Sequence, residues 1–144
     1  MCLKKLFSKK EKVDPIPVLV DSGELEIQEV SNIIKAKMAE YKDNSAEIYI
    51  PDAVMLTYTK ESVVSKYELT PLKSIKYIPD KQDCDDYAAY LYGQFAGLVW
   101  TNLHALNFFI DEHKKFWFIE PQTGAISDKL EGWQGNDFRF FIVR

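Results

Sequence analysis

Cys84 lies in the run Gln82-Asp83-Cys84-Asp85-Asp86-Tyr87-Ala88, with His104 and Glu120 further along the chain. A thiol becomes a nucleophile when a neighbouring base takes its proton. A carboxylate that orients the imidazole fixes its tautomer and stabilises its charged form. A thiol, an imidazole and a carboxylate in this order suit acyl transfer through a thioester. His104 is the better base of the two histidines, because His113 sits in the charged turn DEHKK. Asp83, Asp85 and Asp86 crowd the thiol, and negative charge raises a thiol pKa. The expectation is that they point away from the sulfur, with Asp83 capping a helix and Asp85 and Asp86 facing its positive end.

These three residues need elements to position them. Cys84, Tyr87, Ala88, Leu91 and Phe95 recur at helical spacing, so a helix is predicted over 84–96 with the thiol in its first turn. Free N–H groups and the helix dipole favour a thiolate there. Residues 98–101, 103–111, 115–120 and 138–143 are aromatic or branched and read as strands. Joining 103–111 to 115–120 by a three-residue loop pairs Asp111 with Lys115, Leu106 with Glu120 and His104 with Gln122. Alternation then places His104, Leu106, Glu120 and Gln122 on one face. Gln122 is a second candidate to orient the imidazole. The N–H of Cys84 with Gln82 or Tyr77 upstream are the oxyanion candidates. Trp100 and Trp117 are read mainly as core, with walls of a cleft as their other role.

Further upstream, a helix is predicted over 23–42, started by Asp21 and Glu24, with strands at 46–50 and 53–59. Residues 60–82 read as irregular, broken by Pro71 and Pro79. Helices followed by a run of antiparallel-looking strands indicate an α+β layout.

The chain has 144 residues, 47% of them hydrophobic, which suffices for one domain with a core, here 19–144. A net charge of −4 argues against a nucleic-acid partner, whose binding domains are basic. Two cysteines make neither a disulfide framework nor a zinc cluster. Residues 1–12, MCLKKLFSKKEK, carry a local charge of +4 and read with Pro15 and Pro17 as a basic flexible tail and linker, 1–18. Leu3, Leu6 and Phe7 among lysines, with Cys2 open to acylation, admit a membrane-surface anchor. The expected compartment is the cytoplasm, with membrane association through this tail as an option.

The motifs DCDDYA, HALN and IEPQTG resemble the papain/transglutaminase-like cysteine peptidase superfamily over about residues 77–125. Within it they are similar to bacterial transglutaminase-like cysteine peptidases and to the protease-like domain of a fungal agglutinin. The resemblance implies a papain/transglutaminase-like fold, with helices packed on an antiparallel sheet. It implies Cys84 as nucleophile, His104 as general base then acid, and Glu120 as orienter. The expected function is a cysteine hydrolase cleaving a peptide or amide bond of a protein or peptide substrate. The alternative is a catalytically silent domain of that fold with a binding or structural role. No metal or cofactor is expected from the residues, although the agglutinin's need for calcium admits that ion.

Overall fold

A computed structural model describes residues 19–144. The readings of 1–18 as a tail, a lipid-modified Cys2 and a membrane anchor lie outside the described residues. Three helices are present among those residues: α1 (Ile27–Glu40), α2 (Lys60–Glu68) and α3 (Cys84–Gln94). The strands are β1 (Gly23–Glu26), β2 (Glu47–Tyr49), β3 (Val54–Thr57), β4 (Gly97–Thr101), β5 (Ala105–Ile110), β6 (Phe116–Ile119), β7 (Ile126–Ser127) and β8 (Phe138–Ile142). Six of them form one sheet in the order β2-β8-β4-β5-β6-β7, while β1 and β3 pair as a separate antiparallel ribbon. Among the described residues no helix is long and apolar enough to cross a membrane.

The α+β, papain/transglutaminase-like expectation of helices on an antiparallel sheet is corrected here. The domain is dominated by strands, and its main sheet is mixed, because β2 runs parallel to β8. The long connection from β2 to β8 lets a strand from the front of the chain join the last one on the sheet edge. Two smaller corrections accompany this. Residues 23–26 pair with 54–57 as a strand, so α1 begins at Ile27, and no side chain caps it. Residues 60–68, read as irregular, form α2, which Thr59 caps by accepting from the Ser62 N–H at 3.1 Å.

The strands carry apolar side chains on both faces, and helices cover both. Val30, Ile34 and Met38 of α1 pack with Leu106, Phe108, Ile110 and Phe118 in one cluster. Val63 and Tyr67 of α2 and Tyr87 and Leu91 of α3 pack with Phe109 and Ile119 in the other. Every residue of β5 is buried, and each fully buried Phe there contributes about 1.5–3 kcal/mol. Gly97 lets β4 pack tightly on β5: a Cβ there would meet the Phe108 ring at 2.4 Å.

The β5–β6 hairpin has the register counted from sequence. Asn107 faces Ile119 and Ile110 faces Phe116, and Asp111 N–H donates to the Lys115 carbonyl at 2.9 Å. That register carries His104 and Glu120 to the same end of the sheet.

Candidate functional site

Thr101, fully buried at the end of β4, organises the turn into β5. Its hydroxyl accepts from the His104 N–H at 2.9 Å and the Leu103 N–H at 3.1 Å. It also donates to the Gln134 carbonyl at 2.6 Å. One side chain therefore joins the turn holding His104 to the 3₁₀ turn Gly132–Gln134. Gly135 closes that junction. Its φ is +91°, and a Cβ would lie 2.5 Å from Asn102 Oδ1 and 2.7 Å from Thr101 Oγ1.

Glu120 is the centre of the cluster. Its Oε2 lies 2.9 Å from His104 Nε2 and accepts from Gln134 Nε2 at 2.9 Å. Its Oε1 accepts the Gln122 N–H at 3.3 Å. His104, Glu120 and Gln134 are all buried, so their mutual hydrogen bonds replace the water each has lost. The imidazole meets the Trp133 ring edge-on, with centroids 4.9 Å apart. Trp133 is 55% exposed, and its indole N–H donates to Glu131 Oε2 at 2.6 Å. Beside it opens a cleft of about 360 Å³ lined by Glu120, Gln122, Ser127, Lys129, Trp133 and Gln134.

Cys84 begins α3 as the sequence predicts, and Asp86 accepts from the Asp83 N–H at 3.1 Å. The thiol does not hydrogen-bond to His104 or Glu120 among the described residues. It lies by the Ala105 N–H, the residue after His104. Burial pushes the thiol above its ordinary value; the Ala105 N–H pulls it down, but Asp83 and Asp85 add to the rise. The expectation that the aspartates point away is corrected for Asp83 and Asp85, whose ligand atoms lie with that of Cys84 within 4.8 Å of one another, whereas Asp86 is engaged at the helix start. Asp83, Cys84 and Asp85 could hold a cation. A sulfur with two carboxylates suits a softer divalent ion better than calcium, which takes six to eight oxygens.

The other sequence candidates form no single cluster: Gln122 stays beside Glu120, and Tyr77 lies near Asp83 and Cys84. The Gln82 carbonyl accepts the Ile78 N–H at 2.9 Å in a local turn, and Tyr77 is exposed. Gln122 lines the Trp133 cleft. Trp100 packs on Phe140, and Trp117 holds the ammonium groups of Lys60 and Lys115 over its face. Sequence reasoning missed Trp133, Gln134 and Glu131. The available signal was a tryptophan between two glycines, Gly132-Trp133-Gln134-Gly135, a turn with an aromatic to present.

No family model matches the chain, and no curated protein matches it. Solved structures do. The chain of the PSL1a–E64 complex matches with a TM-score of 0.70 and 21% identity, over 83% of this chain and 51% of that one. Polyporus squamosus lectin, bound to the human-type influenza-binding epitope Neu5Acα2-6Galβ1-4GlcNAc, matches with a TM-score of 0.67 and 20% identity, over 83% and 49%. The chain thus spans about half the length of the lectin chains it matches. These matches correct the resemblance to papain/transglutaminase-like peptidases, and with it the cysteine hydrolase function and the protein or peptide substrate. The fold is that of a small, sheet-dominated domain similar to lectin structures.

Proposed function

We propose that this chain is a carbohydrate-binding domain that seats a sugar ring in the cleft beside Trp133. The exposed indole carries the reading. A sugar ring has one face rich in C–H groups, which an aromatic plate covers, while its hydroxyls need polar partners at the edge. Trp133 supplies the plate, fixed by Glu131 at one end and by the His104 ring at the other. Gln122, Ser127 and Lys129 supply edge groups within the same cleft. On this reading His104 and Glu120 form the rigid floor that holds the plate. The epitope on the Polyporus squamosus lectin supports a glycan as the ligand class, and Lys129 offers a cation for an acidic sugar's carboxylate.

Titration of the ¹⁵N-labelled chain with Neu5Acα2-6Galβ1-4GlcNAc, followed by a glycan array, tests it. The expected result is a saturable shift of the Trp133 indole N–H signal. Trp133→Ala should weaken binding about tenfold or more, equal to about 1.4 kcal/mol, without lowering the melting temperature. A chain that binds no glycan, or binds equally well without Trp133, overturns the proposal.

A further inference from the structure

We infer that a second cavity, of about 780 Å³ between β3 and the end of α3, binds a small amphipathic carboxylate. Its wall is apolar and aromatic, made by Val54, Leu56, Tyr92 and Phe95. Two hydrogen-bonding groups at this wall are free to serve a ligand. Tyr58 is only 7% exposed and lines the cavity, with its ring edge-on to Phe95 at 5.8 Å between centroids. Its hydroxyl has no hydrogen-bond partner among the described residues. The one fully buried polar side-chain atom without a partner there is Asn107 Oδ1, so the Tyr58 oxygen retains solvent access. The cavity that Tyr58 lines provides it. A mostly buried hydroxyl left without a protein partner is costly unless water or a ligand supplies one.

Arg144 is the second group. Its guanidinium carbon lies 5.7 Å from the centre of the Tyr92 ring, and its side chain lines the same cavity. It makes no salt bridge among the described residues. Guanidinium is the side chain best matched to a carboxylate, since its parallel N–H groups meet both oxygens. Its positive charge also reaches the Tyr58 hydroxyl, where burial and then Asp21 act against it, and both donors line the one cavity. Asp52 at the rim and Asp21 near Tyr58 oppose this charge, but both are solvated at the surface. An aliphatic or aromatic tail would lie on Leu56, Val54 and Phe95.

The site is separate from the Trp133 cleft and shares no lining residue with it, so it stands or falls independently of the glycan reading. The test is a titration of the ¹⁵N-labelled full chain with octanoate, below its micelle concentration, and in parallel with octan-1-ol. Octanoate should give saturable shifts at Val54, Leu56, Tyr92 and Phe95 and none at Trp133. Tyr58→Phe should weaken it about fivefold, and Arg144→Gln about tenfold. Octan-1-ol should bind more weakly and be insensitive to Arg144→Gln. Absence of shifts, equal binding of acid and alcohol, or affinity unchanged in both variants each overturns the proposal. Both substitutions keep the apolar wall, and an unchanged melting temperature verifies that the fold is intact.

Discussion

The imidazole of His104 and the indole of Trp133 meet edge to face, with centroids 4.9 Å apart and planes at 61°. One ring is buried and hydrogen-bonded; the other is more than half exposed. The buried ring therefore acts as a stop that restricts the exposed one. His104→Ala should free the indole. Trp133 emission should shift to the red and its anisotropy fall, in a chain where Trp100 and Trp117 are replaced by Phe. Glycan affinity should drop with it. Emission unchanged in His104→Ala would mean that Glu131 alone holds the ring.

Glu120 holds that stop in place, and its two best donors share one oxygen. Glu120→Leu would strand the His104 ring N–H and the Gln134 amide in a buried site. Each stranded donor costs about 1–3 kcal/mol. Glu120→Gln keeps one acceptor oxygen and should cost less than Glu120→Leu. Urea unfolding of both variants measures the difference, and equal losses would show that the pair contributes packing alone.

The Cys84 thiol should behave as a hindered, protonated thiol. Burial, and then Asp83 and Asp85, push it above its ordinary value against the pull of the Ala105 N–H. In a Cys2→Ser background, iodoacetamide at pH 7 should label it more slowly than a free thiol, whose pKa is about 8.5. The rate should climb only at higher pH. Asp85→Asn should accelerate labelling by removing one negative neighbour. The thiol is neutral when protonated, so its contribution to stability is complete below the unfolded value of about 8.5. It fades as pH rises toward the folded value. Fast labelling at pH 6 that depends on His104 would contradict the upward shift and return Cys84 to a nucleophile's role.

Much of the sheet was legible because its signals are local. Aromatic and branched runs marked β4, β5, β6 and β8 to within a residue or two at their starts. Counting across one three-residue loop placed His104 on the same face as Glu120, because an odd loop length sets which alternating side chains share a face. Four things were not legible. The strand β1 looks helical in sequence, since Leu25 continues the apolar stripe of α1; its pairing with β3 is a tertiary choice. The helix α2 has only Val63 and Tyr67 buried and was masked by its polar exterior. Trp133 was passed over because its role depends on Thr101 and Gly135 bringing a distant turn against His104. The resemblance of the Cys84 motif pointed to chemistry, whereas the placement of Asp83 and Asp85 around the sulfur is set by side-chain directions that residue spacing does not specify.

Asp43 should dominate one part of the acid response. It is nearly buried at the end of α1 and accepts the Phe138 N–H at 2.7 Å, the Ser45 N–H at 2.9 Å and the Ser45 hydroxyl at 3.0 Å. Burial pushes its carboxyl up, but these donors together hold it below its ordinary value. A depressed carboxylate contributes stability that is fully present above the unfolded value of about 3.9 and is lost as pH falls through the folded value. Asp43→Asn presents an NH₂ group where one of two N–H donors needs an acceptor. It should therefore cost about 1–3 kcal/mol at pH 7. The decisive comparison is the gap in urea midpoint between the two proteins at pH 7 and at pH 3. The gap should shrink on acidification, because the wild-type carboxyl begins to take up the proton that removes its advantage. A gap that stays constant would mean that Asp43 serves through its shape and not through its charge.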